Sequence, residues 1–245
     1  MIDLAAADRS VIAKAMDFSI LPKETREADV REGCRLAREY GFAAFYTSSP
    51  YWSPMVAEEL AGTAIEVGTG IAFPFGSQTP ATKAFETEEA VRRGATAVDL
   101  VLNVGALKDR SHGTIGEELA GFVKAAASAV TKCILEVCYL TDEEIATGCR
   151  LIAEAGVGFA KTSTGQFEGP TLEQFLVMKE TLAGTRVKLK VAGVKFPRPQ
   201  NAYVFLLAGA DRIGTRAAPE IVEALDGLRR IGLVPGPAGP ARGRP

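Results

Sequence analysis

Two lysines stand where an amine could act as a nucleophile. A short apolar run, residues 157–160, delivers Lys161 and then breaks into Thr162-Ser163-Thr164-Gly165. A lysine at the end of a buried strand must be paired or give up its charge. The neutral amine that results attacks carbonyl carbon and forms a Schiff base. A lone lysine just past a strand is ordinarily a solvated side chain, but a second segment here has the same form. Val187-Lys188-Leu189-Lys190-Val191-Ala192-Gly193 places Lys190 29 residues after Lys161. That is one βα unit, so the two lysines should end neighbouring parallel strands. A carboxylate completes the set, because Asp99 sits inside the apolar run 98–102. Facing a barrel interior, it must pair with a cation or titrate unusually. The ammonium of one lysine disfavours protonation of the other, and the carboxylate, directly or through water, can move the protons of imine and enamine formation. On spacing alone, a buried Lys–Asp–Lys network that only ties strands together is an equal reading.

The elements that must position these groups follow a regular alternation of β-rich runs and amphipathic stretches. After a leading helix over residues 2–14, strands are expected at 15–21, 42–47, 64–73, 97–105 and 132–140. Three more end at Lys161, at Lys190 and over residues 212–216. Gly41 and Gly94 stop helices, and Thr141-Asp142-Glu143-Glu144 and Thr171-Leu172-Glu173-Gln174 are capping boxes that open them. A last helix spans 219–230. Eight strand–helix units in 245 residues predict an α/β fold, a single-domain (β/α)8 TIM barrel over residues 1–234. A doubly wound open sheet is the alternative, but neither a Gly-x-Gly-x-x-Gly fingerprint nor a Walker loop is present. The Pro/Gly-rich tail, 235–245, is expected to be disordered.

Composition narrows the function. A net charge of −2 offers no footprint for nucleic acid or an anionic membrane. The four cysteines hold no Cys-x-x-Cys pair and read as reduced thiols. The first residues carry an acid and no long apolar run, so a soluble cytoplasmic protein is expected. His112 is the only histidine and is read as an exposed loop residue. A zinc site needing several imidazoles, or a Ser-His triad, is therefore not expected, and neither a metal nor a cofactor is called for. At strand ends the sequence offers Asp17, Thr47, Asp99 with Asn103, Glu136 with Cys138, Lys161, Lys190, and Gly214 with Arg216.

Four segments taken together resemble the deoxyribose-phosphate aldolase family. They are Ala97-Val98-Asp99 through Lys108, Glu136-Val137-Cys138-Tyr139-Leu140-Thr141-Asp142-Glu143-Glu144, Lys161-Thr162-Ser163-Thr164-Gly165, and Gly209-Ala210-Asp211-Arg212-Ile213-Gly214-Thr215. The resemblance implies a metal-free class I aldolase on a (β/α)8 barrel. Position by position, Lys161 matches the Schiff-base lysine, Lys190 the second lysine that tunes it, and Asp99 the acid that works with water in proton transfer. Strand-end position and resemblance together give Asp17, Thr47, Asn103, Thr162, Ser163, Gly165, Gly193, Lys195, Gly214 and Arg216 as the expected lining of the substrate site.

The sequence also departs from the family pattern, most seriously at the phosphate end. The family's early Asp-His-Thr is Asp17-Phe18-Ser19 here, and its second-strand cysteine is replaced within Phe45-Tyr46-Thr47-Ser48. The Gly-Gly pair after the second lysine becomes Gly193-Val194, followed by Lys195 and Phe196, and a Gly-x-Ser pattern becomes Gly214-Thr215-Arg216. Arg216, Lys195 and Arg198 could replace the lost backbone cradle with a side-chain clamp. Four functions follow. The first is cleavage of 2-deoxyribose 5-phosphate to glyceraldehyde 3-phosphate and acetaldehyde; the second is the same imine chemistry on another aldehyde or ketone pair. The third is a ligand-binding barrel without catalysis, and the fourth a lyase or decarboxylase using the same imine. The expected partner is a small aldehyde or sugar phosphate, and a homodimer is the expected assembly, although no apolar stripe marks an interface.

Overall fold

The computed structural model describes residues 2–236. Eight strands close into a barrel in chain order: β1 (Met16–Ile20), β2 (Ala44–Thr47), β3 (Glu66–Ile71), β4 (Ala97–Val101), β5 (Val130–Ile134), β6 (Phe159–Lys161), β7 (Lys188–Ala192) and β8 (Arg212–Thr215). Every neighbouring pair is parallel, and β8 returns to β1 through Gly214 opposite Asp17. Alternation along each strand sends one set of side chains inward and the other outward. The outward set, including Ile71, Leu100, Cys133, Leu189 and Val191, packs beneath the helices in one continuous apolar core. Burial of that layer is the main favourable term in the fold.

Local signals place the helices well. Gly41 ends the helix Glu27–Tyr40 in the left-handed conformation, with φ 66°. Both capping boxes form: Thr141 with Glu144, and Thr171 with Gln174. Several bounds differ from the sequence reading. The leading helix is only Arg9–Ala13, started by the Asp8 side chain. β4 stops at Val101 because Asn103 accepts a bond from the Ala106 amide and opens the helix Val104–Lys108. β5 stops at Ile134, since Glu136 takes φ 55° and the chain turns into a short 3-10 helix. Lys190 lies mid-strand, with β7 running on to Ala192. The helix Arg198–Ala208 connects β7 to β8, a segment for which periodicity gave no bounds. The last helix is two, Ala218–Glu223 and Leu225–Arg230. His112 begins the helix His112–Ala126 and is exposed, not in a loop. Of the predicted tail, residues 237–245 lie outside the described residues.

Candidate active site

The barrel interior is ionic, where such interiors are usually filled by branched apolar side chains. Lys161 and Lys190 are directly paired in register across β6 and β7, so both project inward side by side. Asp99 on β4 meets them: its Oδ2 accepts from Lys161 Nζ at 2.7 Å and from Lys190 Nζ at 2.8 Å. Lys190 also lies 2.7 Å from Asp17 Oδ2. Below this, Asp17 accepts from Lys132 at 2.9 Å and from Arg212 at 2.7 Å. Both lower cations reach Glu66 as well, at 3.3 and 3.1 Å. The result is a column of alternating charge that rises from Glu66 and Arg212 to Lys161.

Burial opposes ionisation of Asp17, but Lys132, Lys190 and Arg212 outweigh it and hold the carboxyl well below the usual range. Asp99 behaves likewise: burial pushes it up, while Lys161, Lys190 and Lys132 together pull it well down. Both are therefore carboxylates at neutral pH. Asp99 Oδ1 is buried with no hydrogen-bond partner, which leaves an acceptor free beside the two amines. Glu136 lies close by, its carboxyl pushed up by burial and only partly relieved by bonds from Thr164 and the Lys161 charge. Its Oε1 accepts the Thr164 amide at 3.1 Å and so braces the segment that follows Lys161.

Above the column opens a cavity of about 1100 Å³. Asp17, Asp99, Lys161 and Lys190 form its floor, and Thr47, Gly165, Gly193, Lys195, Gly214 and Arg216 stand in its wall and mouth. Asp17 is at the second position of β1, tied to three cations, so it serves the column more than the opening. Thr47 Oγ1 is turned to the Ser49 carbonyl. Gly193 is at φ 76°, and a Cβ on Gly169 would meet the Gly193 carbonyl oxygen at 1.9 Å. The loops after β6 and β7 are thus in backbone contact, which only glycine permits.

Three predicted residues do not reach the cavity. Asn103 is spent as a helix cap. Thr162 Oγ1 bonds both the amide and the carbonyl of Ala192, tying β6 to β7 from outside the barrel interior. Ser163 is fully buried, with no partner for its hydroxyl. Val194 is buried against the cavity wall, where its side chain occupies space that a second glycine would leave open.

At the mouth, Lys195 is engaged by Glu168, Arg198 lies 5.3 Å from the Phe196 ring, and Arg216 makes no ion pair among the described residues. Phe75 and Phe167, in tilted contact at 6.1 Å, form an aromatic edge. Sequence reasoning missed Lys132, Arg212, Glu66 and Tyr46. The strands of Tyr46 and Lys132, Ala44–Thr47 and Val130–Ile134, mix polar and apolar residues without a period-2 pattern, so only a lysine within a β-rich run marked Lys132.

Comparison with known proteins bears on the family and the fold. A family model described as DeoC/LacD family aldolase matches residues 4–198. A deoxyribose-phosphate aldolase of Bacillus cereus is 43% identical over 213 residues, covering 86% of this chain and 94% of the relative. A putative deoxyribose-phosphate aldolase from Coccidioides immitis superposes with a TM-score of 0.85 at 28% identity, covering 90% and 88% of the two chains. The tetrameric deoxyribose phosphate aldolase from Aeropyrum pernix gives 0.81 at 25%, covering 90% and 93%. With the family model matching most of the chain, a 43% identical aldolase over 86% of it, and two inward lysines on one aspartate at the barrel's centre, the chain belongs to the DeoC/LacD family of aldolases.

Proposed function

We propose that this aldolase cleaves 2-deoxyribose 5-phosphate to glyceraldehyde 3-phosphate and acetaldehyde through an imine on Lys161. The observation that carries this reading is the shared Asp99 Oδ2, 2.7 and 2.8 Å from the two Nζ atoms. Charge counting adds to it. The column holds three carboxylates, Asp17, Glu66 and Asp99, and four cationic side chains, Lys132, Lys190, Arg212 and Lys161. Four cationic side chains thus crowd three carboxylates, the like-charge neighbourhood that a Schiff-base amine needs. Lys161 is 6% exposed against 1% for Lys190 and 0% for Lys132, so its amine is the one a carbonyl can reach.

The chemistry runs on these groups. The Lys161 amine adds to C1 of the open-chain sugar, and loss of water gives the iminium. Asp99, directly or through a water molecule at its free Oδ1, takes the proton of the C3 hydroxyl. The C2–C3 bond then breaks, its electrons flow into the iminium, and glyceraldehyde 3-phosphate leaves. The remaining enamine is protonated at C2, and water releases acetaldehyde and the amine. Lys190 holds a positive charge beside the nitrogen and keeps Asp99 ionised and oriented.

At the mouth, Arg216, Lys195 and Arg198 act as the anion clamp, with Gly193 and Gly214 admitting the backbone close to the phosphate. The departure at Val194 favours a second reading, the same imine on an acceptor without phosphate. Steady-state cleavage of 2-deoxyribose 5-phosphate, measured by coupled reduction of the triose phosphate, against cleavage of unphosphorylated 2-deoxyribose decides between them. A preference of about tenfold or more in kcat/KM for the phosphorylated sugar is expected; equal values would move the assignment to a neutral acceptor. A cytoplasmic setting accords with four free cysteines. Assembly into a homo-oligomer is a further part of this reading, supported by the tetramer reported for the Aeropyrum pernix relative.

A further inference from the structure

Tyr46 on β2 stands inside the charge column, and nothing in the imine scheme uses it. It is 4% exposed, and its ring packs among small neighbours, Ala44 and Ala97, with Val130 beneath. Across β3 the residue in register is Gly68. A Cβ at Gly68 would meet the Tyr46 ring at 2.5 Å, so the glycine leaves the space that the ring fills. The ring is in turn placed against cations: Lys190 Nζ lies 3.9 Å from its centroid and Lys132 Nζ 4.9 Å. A desolvated ammonium over an aromatic face is held with appreciable energy. The hydroxyl accepts from Lys132 Nζ at 2.6 Å, which leaves its own hydrogen to donate.

Five charged groups face this side chain: Asp17 from β1, Glu66 from β3, Asp99 from β4, Lys132 from β5 and Lys190 from β7. Burial and the Asp99, Asp17 and Glu66 carboxylates keep the phenol protonated far above its ordinary range. It is therefore a permanent neutral donor, with the Asp99 carboxylate among the groups that face it.

We propose that Tyr46 is a positioning residue for proton transfer, its ring holding the Lys190 ammonium and its hydroxyl joining Lys132 to the Asp99 side of the column. This rests on the imine reading above. Without the ring, Lys190 can swing toward Asp17 and release Asp99 Oδ2. Without the hydroxyl, Lys132 loses one of its three partners and the two charge layers lose a link. Either change should slow proton movement at the enamine carbon more than formation of the imine.

The test separates those two steps with acetaldehyde alone. In D2O, the Lys161 iminium loses a methyl proton to Asp99 or its water and becomes the enamine. The enamine takes back a deuteron, and water releases deuterated acetaldehyde, so proton NMR of the methyl signal reads the exchange rate. Borohydride reduction of the same mixture reads how much protein carries the imine. For Tyr46→Phe we expect exchange to fall about tenfold, and for Tyr46→Leu about a hundredfold, with trapped imine changed less than about twofold. Gly68→Ala, which displaces the ring without altering it, should slow exchange like the leucine variant and add nothing in the Tyr46→Leu background.

Exchange at the wild-type rate in all three variants, or exchange and trapping falling in parallel, would overturn the proposal. So would fully additive effects of Gly68→Ala and Tyr46→Leu. If Tyr46→Leu does not fold, as read by circular dichroism, the phenylalanine and alanine variants decide alone. Wild-type protein that traps no adduct would instead refute the imine reading and remove the basis of this one.

Discussion

At the floor of the cavity and just below it, Asp17, Asp99, Lys190 and Lys132 are buried and each has at least two ionic partners. At its mouth, Lys195 and Glu168 pair with more than half of each side chain in water, and Phe196 is 77% exposed. The floor is over-determined, because moving one charge strands others in a medium where an unpaired charge is very costly. The mouth is held by contacts that solvent screens and that contribute little individually. The difference teaches where change is tolerated: the reaction is fixed by the floor, while the acceptor is set by loops that can be altered cheaply. The departures at Val194, Lys195, Phe196 and Arg216 lie on the mouth side of that division, while those on β1 and β2 fall within the barrel.

The floor can be broken outright. Lys161→Ala should lower kcat/KM by roughly 10⁴-fold or more while leaving the circular dichroism spectrum unchanged. Asp99→Asn should lower kcat by roughly 10²–10⁴-fold with a much smaller change in KM; a pure KM effect would refute its role in proton transfer. Lys132→Met, remote from the opening, should destabilise the fold by about 3–5 kcal/mol in urea titration, because Asp17 and Glu66 lose a shared cation. A loss below about 1 kcal/mol would show that the lower layer is not what holds the column.

The floor also sets an acid limit. Asp17 and Asp99 have folded values depressed below the ordinary 3.8, so the unfolded chain binds their protons first as pH falls. Their contribution is fully present above about pH 4 and is lost progressively below it. The melting temperature should therefore drop steeply below about pH 4, and Asp17→Asn should flatten that drop. The mouth yields the smallest effects. Arg216→Ala should raise KM for the phosphorylated sugar by about tenfold and leave the unphosphorylated one unchanged. Lys195→Ala should alter stability by less than about 1 kcal/mol.

Much of the barrel was legible because local signals and the global pattern agree. Gly41, the two threonine capping boxes and the eight apolar runs each had a physical reason to be where they are. Lys161, Lys190 and Asp99 were found because charged residues inside apolar runs stand out. What escaped depended on register. Asn103 had the right type near a strand end, yet a local bond to the Ala106 amide won. Thr162 follows Lys161 directly and so points away from the interior, where it ties two strands together. Lys132 gave no alternation signal, and only closure of the barrel shows that it meets Asp17 across 115 residues of chain and Tyr46 across 86.

The central claim is that Lys161, alone among the three lysines of the column, forms the imine. Mixing the protein with acetaldehyde and, separately, with 2-deoxyribose 5-phosphate, followed by borohydride reduction and peptide mass spectrometry, tests it directly. The account predicts a reduced two-carbon adduct on Lys161 from both, with Lys190 and Lys132 unmodified. An adduct on Lys190 in place of Lys161, or no adduct from either compound, would contradict it.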